Sequence, residues 1–188
     1  SRGGGGRRRP ASRSARSGRE APSLAGQVPE LRQDALPETE VRFFHALNDV
    51  VVARGGIARI INIKASIDDA DVATYKADGV IVATATGSTG YALAAGGPIL
   101  HPQTADYLLV PIVPNVSFHH SLLIPAHSTV TLRLTSKHQA TMSIDGHISL
   151  PLNDGATVTI RSSPKRIGFL RLRPRGDFFA TLEHKLKG

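Results

Sequence analysis

Beyond about Val41 the chain is written in short apolar runs broken by turn residues, and that texture limits what it can fold into. Val50-Val51-Val52, Ala58 to Ile67, Val72 to Lys76, Val80 to Val82, Val158 to Arg161 and Ile167 to Leu172 are all of strand length, with frequent β-branched residues. Thr129 to Leu134 alternates strictly, which puts Val130, Leu132 and Leu134 on one face. Asp145-Gly146, between Ala140 to Ile144 and His147 to Leu150, is a strong hairpin signal. Tyr107 to Val113 is apolar, but Pro111 and Pro114 predict an edge strand or a bend there. Helical spacing occurs in two places only. One follows Ser88; the other is Asp177 to Lys187, where Phe178, Phe179, Leu182 and Leu186 share a face. The expected fold is therefore mainly β and sandwich-like, with a short helix after Ser88 and a C-terminal helix.

The block Ala77 to Pro98 carries the most chemical information. Val80-Ile81-Val82 predicts a strand covered on both faces. A Thr/Gly/Ser turn follows, then a short helix that Ser88 or Thr86 is expected to cap and that Gly96-Gly97-Pro98 is expected to stop. Small residues and hydroxyls at a strand-to-helix junction leave backbone N–H groups open to a polar ligand.

At 188 residues the chain has room for one domain with its own core plus a tail. The tail is expected over residues 1–40, rich in Arg, Gly, Ser and Pro, without apolar periodicity, and so disordered. It resembles a transit peptide in its arginines but has no amphipathic stripe, so a flexible linker, or sequence translated from an upstream or misplaced start, is the plainer expectation. Seven arginines against Glu20 in the first twenty residues account for all but two of the eight net positive charges. The domain itself is thus nearly neutral, and no specific nucleic-acid partner is expected. No cysteine is present, which suits a reducing cytoplasm, and no apolar run reaches membrane-spanning length, so no membrane partner is expected.

Familiar catalytic patterns are absent from these residues. There is no Gly-Lys-Ser/Thr phosphate loop, Gly87-Ser88-Thr89-Gly90 has the wrong spacing for a nucleophile elbow, and no His-Glu-x-x-His zinc pattern occurs. His119-His120 reads as loop polarity, for want of ligand spacing. What remains is a constellation: Leu47-Asn48-Asp49-Val50-Val51-Val52, the Asp78-Gly79 to Pro98 block, and Ser143-Ile144-Asp145-Gly146. Together with Phe178 to Leu186, these segments resemble the NAD kinases, specifically their C-terminal domain, from about Ala46 to the end. The long block is the specific part of the likeness.

The resemblance implies a β-sandwich-like domain of the NAD kinase type over residues 41–175, followed by a C-terminal helix over 176–188. It places Asn48 and Asp49 at the hydroxyls of the dinucleotide's ribose. An amide beside a carboxylate can accept two hydroxyl donors and also donate one bond. Asp78 would hold a ribose or base amino group. Thr86, Ser88, Thr89, Gly90 and Tyr91 match the loop that wraps the dinucleotide, where small residues permit close approach and Tyr91 offers an aromatic plane. Asp145 matches an Asp-Gly segment of the family, although a plain hairpin turn is the stronger reading of it. No residue of the chain is assigned a catalytic or metal-binding role.

Departures from the family pattern temper what is carried over. Ala85 replaces a proline, Gly90 an alanine, Ala94 a serine, and His120 stands where an arginine is usual. The Gly-Gly-Asp-Gly-Thr motif that cradles ATP and supplies the proposed base does not occur. The family activity is ATP-dependent phosphorylation of the 2′-hydroxyl of the adenosine ribose of NAD, giving NADP, with ATP and a divalent metal such as Mg as the full-length requirements. The expectation is a cytoplasmic C-terminal fragment of such an enzyme, binding NAD or NADP but inactive alone. A homo-oligomer, or the missing N-terminal domain, would cover the apolar helix face. A non-catalytic NAD(P)-binding regulatory module is the alternative, and a lipid-kinase relative a weaker one.

Overall fold

A computed structural model describes residues 20–30, 40–56, 60–114 and 119–170, together with 178, 181 and 182. Among these residues twelve strands form two antiparallel six-stranded sheets. In the first sheet the order is β2 (Glu40–Ala46), β1 (Glu20–Glu30), β12 (Thr157–Gly168), β9 (Thr129–Leu134), β4 (Ile61–Ile67) and β5 (Ala70–Ala77). In the second it is β11 (Ile148–Leu152), β10 (Ala140–Ile144), β3 (Asp49–Arg54), β6 (Gly79–Ala83), β7 (Tyr107–Ile112) and β8 (Leu122–Ile124). The mainly β, sandwich-like expectation is borne out.

The principal core lies between the sheets. Ile63, Ala65, Val130, Leu132, Val158 and Ile160 of the first sheet meet Val50, Val52, Val80, Val82, Leu109 and Met142 of the second. Because strand side chains alternate, the intervening residues of the second sheet point to its other face. There Val51, Ile81, Ala83, Leu108, Val110 and Ile112 form a second apolar cluster with Ala92. Val80, Ile81 and Val82 are all fully buried, which is why that strand reads as an unbroken apolar run. Burial of such side chains contributes about 1.5–3 kcal/mol each.

The outer cluster is roofed by the segment after β6. A 3-10 turn at Gly87–Thr89 leads into α1 (Tyr91–Ala94), a single helical turn. So short a helix is unstable alone. It is held by burial of Ala92 and by its C-terminus, where Gly96 at φ +86° donates to Leu93 O at 2.9 Å and Gly97 N to Ala92 O at 2.8 Å. The Gly-Gly-Pro stop is as expected; the cap is not. Neither Ser88 nor Thr86 caps the helix by its side chain, and Gly90 holds the N-cap position with φ −101°. Gly90 therefore precedes the helix, where a glycine carries no interior-helix penalty.

Three further differences have physical causes. Residues 20–30 lie within the expected disordered tail, yet they form β1, whose ladder runs on one side to β12 and on the other to β2. Backbone hydrogen bonding, which composition does not report, is what places them there; residues 1–19 and 31–39 lie outside the described residues. The second difference concerns β7, which is flanked on both sides rather than lying at the sheet's edge, although the expected bend occurs at Val113, whose φ is +42°. The neighbouring β8 is only three residues long and pairs no further than Leu109, so Pro111 opposes Val80 of β6 beyond the end of that ladder. Third, the runs at Val158 to Arg161 and Ile167 to Leu172 belong to one strand as far as Gly168. Of the expected C-terminal helix, Phe178, Thr181 and Leu182 are described, and all three are helical. The Phe178 ring meets His101 edge-on at 5.1 Å.

Candidate functional site

The antiparallel register brings three strand ends to one place: Asp49 opens β3 opposite Ala83 at the close of β6, and Val50 pairs with Ile144 at the close of β10. The loops leaving these ends, at residues 47–48, 84–90 and 145–147, meet on the outer side of the second sheet. Between them lies a cleft of about 500 Å³ lined by Asn48, Asp49, Val51, Thr86, Gly87, Thr89, Gly90, Tyr91, Ser143, Asp145 and Gly146. Residues from three distant parts of the chain therefore share one cavity, above the apolar floor that Val51 provides.

Thr84 and Gly87 shape the junction, and the sequence reading passed over both. The Thr84 hydroxyl donates to Leu47 O at 2.7 Å and lies 3.2 Å from Asn48 O, while it accepts from Gly87 N at 3.1 Å. Its backbone N also donates to Asn48 O at 2.8 Å. A hydroxyl three residues before a turning glycine was the available signal. Gly87 has no room for a side chain: a Cβ there would lie 2.6 Å from Asn48 C, 2.9 Å from Asn48 Cα and in collision with Asn48 O. Glycine permits the two loops to touch backbone to backbone.

Asp145 ties the third loop to the first. One carboxylate oxygen accepts from Leu47 N at 2.7 Å; the other accepts from Asn48 N at 2.7 Å and Asp49 N at 3.0 Å. Asp145 N in turn donates to Asp49 O at 3.0 Å. The turn residue sits at φ +48°, a conformation that Asp and Asn tolerate better than most. Asp49 is 8% exposed, and burial, then the neighbouring Asp145 charge, raises its pKa above the ordinary value of 3.8. A carboxylate so placed gains from hydroxyl donors delivered by a ligand.

The other expected site residues divide. Thr86, Thr89, Gly90 and Tyr91 line the cleft with Asn48 and Asp49, and Tyr91 is 48% exposed. Ser88 is fully buried; its hydroxyl donates to Ala85 O at 2.7 Å and accepts from Leu100 N at 3.0 Å, so its side chain serves the loop's own architecture. Asp78 lines an adjoining cleft of about 350 Å³ with Arg54, Gly55, Gly56 and Ile112, and Tyr91 borders both cavities. Arg54, also missed in the sequence, holds Asp78 through Nε at 2.9 Å and is itself fixed by a 2.9 Å bond from Nη1 to Gly56 O.

No group of three or more His, Cys, Asp or Glu side chains able to hold a metal occurs among the described residues. His119 and His120 are exposed, with ring centroids 4.3 Å apart. Residues 115–118 of that loop lie outside the described residues. Among the described residues no helix is long and apolar enough to cross a membrane.

The class defined by these features is a two-sheet β domain carrying a hydroxyl-lined cleft over three converging strand ends. The sequence profile of the ATP-NAD kinase C-terminal domain matches residues 47–172. An NAD kinase of Dehalococcoides mccartyi (strain CBDB1) is 48% identical over 160 residues, covering 84% of this chain and 56% of that protein. An NAD kinase of Chloroflexus aggregans (strain MD-66 / DSM 9485) is 46% identical over 142 residues, covering 76% and 51%. Among solved structures, an NAD kinase from Archaeoglobus fulgidus in complex with ATP superposes with TM-score 0.72 at 27% identity, covering 91% of this chain and 61% of that one. Yeast NADH kinase complexed with NADH gives 0.69 at 30% identity, covering 81% and 43%. The chain belongs to the NAD kinase family, matching its C-terminal domain, and spans about half the length of the curated relatives it matches.

Proposed function

We propose that this chain supplies the dinucleotide-binding wall of an NAD kinase. The full-length protein would transfer the γ-phosphoryl group of ATP to the 2′-hydroxyl of the adenosine ribose of NAD. The ribose oxygen forms the new P–O bond, the bond to ADP breaks, the hydroxyl proton passes to a base, and NADP and ADP leave. The observation that carries the reading is the meeting of the Asn48-Asp49 turn and the Thr86-to-Tyr91 loop on one cleft, in a chain of this family. Asn48 would donate and accept hydrogen bonds, and Asp49 would accept them from ribose hydroxyls. Thr86 and Thr89 would bond polar edges, Gly90 would allow close approach, and Tyr91 would offer its exposed ring to a base. Asp78, held by Arg54 across the neighbouring cleft, would take an amino group.

ATP, the divalent ion and the cytoplasmic setting belong to the same proposal and are assigned to the full-length protein. Self-association, or packing against the rest of the protein, is part of it as well; Val113 and Leu123, 73% and 55% exposed, support a covered surface. The test is calorimetric titration of the chain with NAD and NADP, beside Asn48→Ala. Binding that weakens about tenfold in the variant is expected, the equivalent of one well-formed polar contact. A wild-type chain that binds neither dinucleotide refutes the reading. NADP formation from NAD and ATP by the full-length protein tests the transfer itself.

A further inference from the structure

We propose that Asp145 is a positioning residue, holding the Asn48-Asp49 turn in its ligand-ready form rather than touching the dinucleotide. This rests on the dinucleotide-binding reading above. Three successive amides, at Leu47, Asn48 and Asp49, converge on one carboxylate from the far side of the sequence, at 2.7, 2.7 and 3.0 Å. Bonds of this kind to a charged acceptor are shorter and stronger than neutral ones. They engage both carboxylate oxygens, so the group is committed to the backbone of the turn even though Asp145 borders the cleft.

The remaining backbone groups of the same turn are also held. The carbonyl oxygens of Leu47 and Asn48 accept from Thr84, and Asp49 O accepts from Asp145 N. A turn whose donors and acceptors are both fixed presents its side chains in one direction, at no ordering cost when a ligand arrives. Of the two clamping residues, Thr84 directly follows β6 and Asp145 lies in the β10–β11 turn, so the presentation of Asn48 depends on the register of three strands. The left-handed backbone of Asp145 fits this role, because it turns the carboxylate back toward residues 47–49 from a three-residue loop closed by His147 N to Ile144 O at 3.1 Å.

The experiment is a double-mutant cycle on NAD affinity with Asp145→Asn, Asn48→Ala and the double variant, read by titration of the intact chain. Asparagine tolerates the same left-handed backbone but offers one acceptor oxygen in place of two. Asp145→Asn alone is expected to weaken binding about tenfold or more, and to weaken the Asn48→Ala chain little further. Losses that simply multiply overturn the proposal, since Asp145 would then contact the ligand in its own right. Unchanged affinity in Asp145→Asn overturns it also.

Hydrogen exchange of the wild-type chain needs no variant, and covers the case in which Asp145→Asn does not fold. Amides 47, 48 and 49 are expected to exchange slowly and as a group; free-loop exchange at any of the three defeats the clamp. A wild-type chain that binds no NAD while these amides are protected condemns the functional reading instead, so the two failures are distinguishable.

Discussion

Replacing Gly87 by alanine tests whether the candidate site depends on two loops in backbone contact. The added Cβ would lie 2.6 Å from Asn48 C and 2.9 Å from Asn48 Cα, closer than real Cβ atoms approach, and the obstacle is backbone that cannot rotate away. Overpacking of this kind costs about 1–3 kcal/mol. Separation of the loops would also strain the 3.1 Å bond from Gly87 N to Thr84 Oγ1, which contributes on the order of 1 kcal/mol. Together the loss is about 2–4 kcal/mol. For a chain of this size, 1 kcal/mol moves the melting temperature by roughly 2–4 °C, so a fall of about 4–16 °C is expected. NAD affinity should fall with it, because Asn48 and Gly87 face the same cleft. Gly90→Ala is the comparison: its Cβ would meet only Gly87 O, at 3.3 Å, a tight contact rather than a collision, and should cost less than Gly87→Ala. Calorimetric melting and NAD titration of the three chains give the answer. A Gly87→Ala chain within about 0.5 kcal/mol of wild type, the range of ordinary surface changes, would refute the reasoning.

Other outcomes follow from the same geometry. Thr84→Val removes a hydroxyl that serves Leu47 O and Gly87 N at a fully buried position, and should cost about 2–4 kcal/mol in denaturant unfolding, while Thr84→Ser keeps most of it. Arg54→Ala breaks an ion pair about one third exposed, so stability should change by less than about 1 kcal/mol; NAD binding should weaken more than stability does if Asp78 takes a ligand amino group. Asp49 has a raised pKa when folded, so the folded state binds its proton more tightly than the unfolded state does. Its ionisation therefore removes stability as pH rises from the ordinary 3.8 through the raised folded value. Asp49→Asn should melt higher than wild type at neutral pH, with the gap closing as pH falls toward that ordinary value; a gap constant across the range would contradict the burial argument.

The strands were legible because their signal is local. Val50 to Val52, Val80 to Val82 and the alternation of Thr129 to Leu134 carry their burial pattern in residue type alone, and each forms the expected strand. The two-sided burial of Val80, Ile81 and Val82 could be read from an unbroken apolar run. Pro111 and Pro114 signalled the bend at Val113, but not that β7 is flanked, because a proline's tolerance depends on where the neighbouring strand ends, a fact held in Leu122–Ile124 and not in Tyr107–Ile112. The β1 strand was invisible for a similar reason: its pairing with β12 and β2 is a property of backbone groups that every residue other than proline carries in full.

For the candidate site, the sequence and the resemblance it carries singled out Asn48, Asp49, Thr86, Thr89, Gly90 and Tyr91, and all six line the cleft. Tertiary structure decided the division of labour among residues of like chemistry. Ser88 and Thr89 are adjacent hydroxyls, yet one is sealed in its own loop and the other faces the cavity. Asp49, Asp78 and Asp145 are three carboxylates that became a buried acceptor, the partner of Arg54, and the anchor of three amides. Residue type fixes what a group can donate or accept. Only strand register, acting over nearly a hundred residues between Asn48 and Asp145, fixes which partner it meets.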